Sequence, residues 1–172
     1  MRNLKLFQLG NKDMEINYRS IGIIHTPFKN PKGMPIQPTG AKGIKGTIEL
    51  NEVYIQGLKD LDGFSHLILI YHFHKATERK LLIQPFLEDE NHGIFAIRAP
   101  KRPNPIGLSI VKLLNIKKNI LEIENVDILN GTPLLDIKPY VPHFDIFDNV
   151  KSGWLETHKK RVKDFRSDGR FT

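Results

Sequence analysis

The sequence lacks cysteine and long apolar segments, and each absence excludes a class of protein. Without cysteine the chain cannot form disulfides, bind zinc or an iron–sulfur cluster through thiolates, or use a thiol nucleophile. The longest apolar run is Leu67–Tyr71, far shorter than the roughly 20 residues that span a bilayer. No long apolar stretch follows Arg2 and Lys5, so a secretory signal is not expected either. We therefore expect a cytoplasmic protein without membrane contact.

The 172 residues suit one globular domain, but their charge is unevenly placed. Lysine and arginine number 26 against 19 acidic residues, a net charge of +7. Residues 91–121 carry basic side chains and no acid, and residues 158–172 form a second basic block. Two separated basic blocks favour a polyanionic partner, although solubility alone would also explain a basic surface.

Apolar patterning predicts a mainly β fold. Few helices are expected: a short one over Glu52–Leu61, capped by Asn51, and a basic C-terminal one over Leu155–Phe165. Irregularly spaced strands with so few helices favour one antiparallel sheet closed into a barrel, and disfavour βαβ units. We divide the chain into an extension (1–17), a β-barrel domain (18–150) and a basic tail (151–172). The predicted strands are Ile21–His25, Thr47–Leu50, Phe64–His74, Ile94–Arg98, Leu108–Ile116, Ile120–Leu129 and Leu134–Lys138.

Two proline-rich loops are the first candidates for a binding site. Pro27–Gly46 holds four prolines and four glycines, which is typical of a binding loop or of a disordered segment. The second loop follows Arg98 and contains three prolines between there and Gly107. Proline limits backbone freedom, so a rigid cradle for a ligand and a stiff structural corner are both consistent with this loop.

Two further patterns carry polar side chains on one face of a strand. Asp136 and Lys138 alternate with apolar residues after the turn dipeptide Asn130-Gly131, which indicates either a site or a hairpin with a surface ion pair. His66, His72 and His74 share the parity of the Phe64–His74 strand. Imidazoles on one face can chelate a metal, but no carboxylate lies close by in the sequence, so we expect none.

Four blocks, in their order along the chain, resemble the TsaA-like (TrmO) family. The resemblance covers about residues 18–150. It implies a single-sheet β-barrel enzyme, usually a homodimer, that uses S-adenosylmethionine to methylate N6 of N6-threonylcarbamoyladenosine at position 37, in the anticodon loop of tRNA. The blocks are Ile21–Phe28 (IGIIHTPF), Gly63–Leu67 (GFSHL), Ala96–Ser109 (which includes RPNPIGLS) and Asn130–Tyr140 (NGTP, then DIKPY).

The same resemblance implies a cofactor site. Asn130 stands where the family usually has Asp; an amide can accept a hydrogen bond but cannot carry charge or remove a proton. By motif, the cofactor-binding residues are Pro35, Ile36, Gln37, His74, Lys75, Arg98, Leu108, Asn130, Gly131, Thr132 and Pro133.

Methylation of this nitrogen requires that N6 be aligned with the methyl–sulfur bond of the cofactor. It also requires activation of N6, because its lone pair is a poor nucleophile. Arg98 and Arg102 are candidates to polarise the neighbouring carbonyl, and Asp136 and His25 are candidate bases. Two alternatives stay open: a related methyltransferase with another small or RNA substrate, and a non-catalytic barrel that binds RNA or a nucleotide.

Overall fold

A computed structural model describes residues 15–158 and 164–171. Its regular elements are mainly strands, as predicted. A four-residue α-helix, α1, covers Pro142–Asp145, and 3-10 helices cover Pro38–Gly40, Glu52–Leu58, Leu61–Gly63, Ile94–Ala96 and Gly153–Thr157. The strands are β1 Gly22–His25, β2 Lys45–Leu50, β3 His66–His72, β4 Leu82–Ile83, β5 His92–Gly93, β6 Ile106–Lys117, β7 Ile120–Glu124 and β8 Thr132–Pro139.

Six strands close into one antiparallel barrel in the order β1–β2–β7–β6–β3–β8, while β4 and β5 pair separately. The predicted barrel is therefore confirmed. Among the described residues, no helix is long and apolar enough to cross a membrane.

The inward face of each strand fills the barrel. In β3, Leu67 and Leu69 are fully buried and Tyr71 nearly so, while the residues between them are half-buried. Only alternate residues of this strand are fully buried, because a single closed sheet encloses only one of its faces. Gly107 lies opposite Tyr71, where a Cβ atom would overlap the tyrosine ring.

Two predicted strands end or fold differently. Ile94–Arg98 begins as a 3-10 helix, because this geometry places Ile94 and Ile97 on one buried face. The strand predicted at Ile120–Leu129 ends at Glu124, since Asn125 adopts a left-handed conformation with φ 68°. Residues 125–131 instead cross one end of the barrel.

Neither of the two predicted helices forms an α-helix in the described residues. Asn51 does not cap the 3-10 helix at Glu52–Leu58; its amide donates to the Ser20 carbonyl instead. In the tail, the described residues form the 3-10 helix Gly153–Thr157, and the middle of the predicted C-terminal helix, residues 159–163, lies outside the described part of the chain. Most of the predicted extension, residues 1–14, lies outside it as well.

Candidate functional site

A large cleft opens beside one end of the barrel. Its volume is about 1070 Å³, and its walls come from several parts of the chain that are distant in sequence. The proline-rich loop at 31–39 forms one wall, the 95–102 loop another, and β3 and β6 the floor. The 125–132 crossing and the C-terminal tail complete it. A cleft of this size is large enough for a nucleoside-sized ligand.

The C-terminal tail holds the 31–39 loop in place. The Gly33 N–H donates to the Ser167 carbonyl, and the Ser167 N–H donates to the Met34 carbonyl. Pro35 pairs with Arg166 in an isolated antiparallel bridge. Phe171 packs its ring 4.6 Å from that of Phe86 and lines the cleft. This predicted binding loop is thus attached to the tail by strand-like hydrogen bonds.

The 95–102 loop presents two arginines and an aromatic ring to the cleft. Arg102 Nη1 donates to the carbonyls of Ile94 and Ile97, at 2.9 and 2.8 Å, and so holds the 3-10 turn together. Its guanidinium carbon lies 5.9 Å from the ring centre of Phe95, which is 78% exposed at the cleft. Arg98 is exposed in the cleft, where its Nη1 lies 3.5 Å from Gln37 Oε1.

The Asn130–Pro133 turn supports the cleft from the side of the barrel. Asn130 Oδ1 accepts a hydrogen bond from the Thr26 N–H at 3.0 Å, and Gly131 has φ 77°. This contact requires an acceptor and no charge, so asparagine can fill the position. Thr132 lines the cleft, with its hydroxyl 3.3 Å from His74 Nδ1. Burial, followed by the charges of Lys75 and His72, lowers the pKa of His74.

A buried polar chain leads to a carboxylate in the cleft. The Tyr71 hydroxyl lies 3.0 Å from Ser109 Oγ, and Ser109 donates to Asp127 Oδ1 at 2.7 Å. Burial raises the pKa of Asp127 to about 6, although Ser109 and Arg98 act against this rise. Burial, together with the charge of Asp127, also raises the pKa of Tyr71 far above its usual value.

The two predicted bases lie elsewhere. His25 Nε2 is 3.3 Å from Glu49 Oε2 in an exposed pair. Asp136 Oδ2 is 2.8 Å from Lys138 Nζ, and both side chains are largely exposed on β8. Neither His25 nor Asp136 lines the cleft. The predicted shared face of Asp136 and Lys138 is confirmed, in the form of a surface ion pair.

Most predicted cofactor residues do come together. Three of them do not line the cleft, although they adjoin the cleft residues Leu129 and Thr132 in the sequence: Asn130, Gly131 and Pro133. Among the described residues, no group of three or more side chains could hold a metal ion, the three histidines of β3 and its end included. The predicted residues that line the cleft are Pro35, Ile36, Gln37, His74, Lys75, Arg98, Arg102, Leu108 and Thr132.

Sequence reasoning missed Asp127, Ser109 and Phe95. Asp127 was placed inside a predicted strand, where its alternation with Val126 and Ile128 indicated nothing more than a surface position. The one available signal was its position shortly before the Asn130-Gly131 turn, close to a motif already singled out.

The chain is similar in sequence to a family of known proteins. The family model of the tRNA-methyltransferase O N-terminal domain matches residues 23–146. A Pyrococcus abyssi protein named probable S-adenosyl-L-methionine-binding protein is 58% identical over 156 residues, which cover 91% of this chain and 85% of the relative.

Two longer relatives add an activity and a solved structure. The tRNA (adenine(37)-N6)-methyltransferase of Escherichia coli is 33% identical over 150 residues, or 81% of this chain and 64% of that enzyme. A crystal structure of TrmO from Pseudomonas aeruginosa matches with a TM-score of 0.70 and 35% identity, covering 82% of this chain and 63% of TrmO. The chain thus spans less than two thirds of the length of each.

Proposed function

This chain belongs to the TrmO family, and from that premise we propose that it is an S-adenosylmethionine-dependent tRNA methyltransferase acting on N6 of N6-threonylcarbamoyladenosine at position 37. The observation that carries the proposal is the cleft, which gathers most of the residues assigned to the cofactor by motif, although they come from separate parts of the chain. The E. coli relative's name, a tRNA (adenine(37)-N6)-methyltransferase, supports the position of the methylated base.

The side chains in the cleft fit the cofactor's chemistry. S-adenosylmethionine, when bound, supplies an electrophilic methyl group on a sulfonium cation. Arg98 and Lys75 can pair with its carboxylate. His74, whose pKa is lowered, stays neutral near pH 7 and so does not repel the sulfonium. Gln37 offers amide donors and an acceptor to a purine, beside the apolar surface of Pro35 and Ile36.

The rim of the cleft suits a nucleic-acid substrate. Exposed Phe95 offers a flat face for a base turned out of an RNA loop, since single-stranded bases bind by stacking on aromatic rings. Arg102 is fixed beside it by two carbonyls, so its cation is already oriented for a phosphate or a carbonyl oxygen.

We also propose that the enzyme is a homodimer that pairs through the outer face of β3 and β6. Ile68 lies opposite Ile110 and Ile70 opposite Leu108, which makes a continuous apolar stripe. Ile110 is 37% and Leu108 49% exposed, and both also line the cleft, so the proposed dimer surface adjoins the proposed cofactor site. Sedimentation equilibrium of the wild type and of Ile110→Glu tests this: the wild type should be dimeric and the variant monomeric. A monomeric wild type would contradict the pairing.

Mass spectrometry of tRNA nucleosides tests the activity. The protein is incubated with methyl-labelled S-adenosylmethionine and either tRNA carrying N6-threonylcarbamoyladenosine or the same tRNA transcribed without modifications. We expect label on the modified adenosine of the first tRNA and none on the second. Label on another nucleoside would favour the related-methyltransferase alternative. Cofactor binding without any transfer would favour the non-catalytic one.

A further inference from the structure

Asp127 is the carboxylate of the cleft. Among the described residues that line it, no other aspartate or glutamate occurs, whereas lysine, arginine and histidine do. A single carboxylate lies among cationic side chains, in a cleft proposed to bind a sulfonium cation. Asp127 is therefore the candidate proton acceptor of the cleft.

The hydrogen bonds around Asp127 orient its carboxylate. Ser109 is 1% exposed, and its hydroxyl donates to Asp127 Oδ1 at 2.7 Å. Tyr71 is 5% exposed and lies 3.0 Å from the same hydroxyl, so the serine is itself held from behind. Because Ser109 has one proton to donate and uses it on Asp127, the chain runs in one direction, from tyrosine to serine to carboxylate.

Resting on the proposed function, we infer that Asp127 accepts the N6 proton of the substrate during methyl transfer and that Ser109 is a positioning residue for it. The Asp127 carboxylate takes the proton from N6. The nitrogen electron pair forms the new N–C bond to the methyl carbon, and the C–S bond breaks with its electrons left on sulfur. The products are the N6-methyl group, a neutral thioether and a protonated Asp127, which releases its proton to solvent before the next cycle.

Charge explains why this residue suits the step. Before transfer the cleft would hold a carboxylate anion and a sulfonium cation; afterwards both are neutral. A partly buried site favours the loss of both charges, because each is poorly solvated there. A neutral imidazole gives no such gain: His74 would become a cation where burial, and then the charge of Lys75, already lower its pKa.

The groups that face Asp127 set its protonation near neutral pH. Ser109 and Arg98 favour the anion, and burial opposes it more strongly. With a pKa of about 6 the residue is ionised at pH 7 yet remains a useful base, since general bases act best when their pKa lies near the working pH.

Single-turnover methyl transfer to modified tRNA tests the inference, with saturating cofactor, from about pH 5 to 9. We expect Asp127→Asn to lower the rate about 10²- to 10⁴-fold, with cofactor affinity by calorimetry changed less than about threefold. The wild-type rate should rise with pH through about 6, and the residual rate of the variant should lack that inflection. Asp62→Asn is the matched control, because Asp62 lines a separate cavity with Phe64 and Leu114.

Ser109→Ala gives a readout that a purely structural role would not move. Loss of its hydrogen bond removes a contact that favours the anion, so the inflection should shift to higher pH while the rate at about pH 9 stays within a few-fold of wild type.

Three results would overturn the inference. One is an Asp127→Asn variant as fast as wild type. Another is a loss of cofactor affinity equal to the loss of rate, which would make Asp127 a cofactor ligand. The third is an inflection that stays in place in Ser109→Ala. A wild type that transfers no methyl group defeats the proposed function and this inference together, whereas an active wild type with an equally active variant defeats only the inference.

Discussion

Replacing Asp127 with asparagine should stabilise the fold at neutral and alkaline pH. Burial raises the pKa of this carboxyl from 3.8 to about 6. Between those two values the folded protein holds a proton that the unfolded chain has lost, so the free energy of unfolding falls as the pH rises through that window and stays low above it. At 1.36 kcal/mol for each tenfold difference in proton affinity, the ionised side chain lowers the stability by about 3 kcal/mol near pH 8.

Asparagine removes that charge and keeps the acceptor for Ser109. Near pH 8 we expect Asp127→Asn to raise the free energy of unfolding by up to about 3 kcal/mol, which is about 6–12 °C in Tm for a chain of this size. Near pH 4 the gain should shrink below about 1 kcal/mol, because the native aspartic acid is then neutral as well.

Urea and thermal unfolding followed by circular dichroism at several pH values measure the difference. Asp136→Asn is the control, since its exposed ion pair with Lys138 contributes at most about 1 kcal/mol. A difference between wild type and Asp127→Asn that is the same at pH 4 and pH 8 would refute the reasoning, because it would mean that Asp127 is not desolvated by folding.

Three further predictions concern the cofactor, the 31–39 loop and tRNA binding. Arg98→Ala should weaken cofactor binding at least about tenfold in calorimetry, since a charge-assisted contact is worth about 1.5–3 kcal/mol; unchanged affinity would remove Arg98 from the site. Phe171→Ala should loosen the tail from the 31–39 loop, so limited proteolysis should cut that loop faster while the main unfolding transition stays in place; equal cleavage would contradict the tail's role. Replacing Lys159, Lys160 and Arg161 with alanine should raise KM for tRNA and flatten its salt dependence, with kcat nearly unchanged. This prediction rests on charge alone, because these residues lie outside the described part of the chain. A KM and a salt slope equal to those of the wild type would mean that the tail does not contact tRNA.

Specificity for the modified adenosine needs a test of its own. A flat aromatic ring and fixed arginine at the rim suit many unpaired bases, and nothing in Phe95 alone selects the threonylcarbamoyl group. The comparison of modified with unmodified tRNA therefore separates recognition of position 37 from recognition of the modification.

Local sequence determined much of the fold. A continuous apolar run was enough to predict β3, and the alternation of Leu135 and Ile137 with Asp136 and Lys138 was enough to predict β8, because the side chains of a strand point to opposite faces with a period of two. Proline and glycine marked the 31–39 and 95–102 loops for the same kind of local reason, and the long motifs carried the family resemblance. The local pattern predicted the ends of elements less well. For example, β7 ends where Asn125 adopts a left-handed backbone conformation, which the sequence pattern did not indicate.

Tertiary structure alone decided which polar groups form a site. The sequence suggested Asp136 as the base and not Asp127, yet Asp136 pairs with Lys138 on the outer surface. Asp127 instead meets Ser109, 18 residues earlier in the chain, inside the cleft. The pKa of a carboxyl depends on desolvation and on charges within a few ångströms, and barrel closure brings those neighbours from distant strands and loops. Sequence spacing does not encode such distances, which is why the candidate base became visible only in the folded chain.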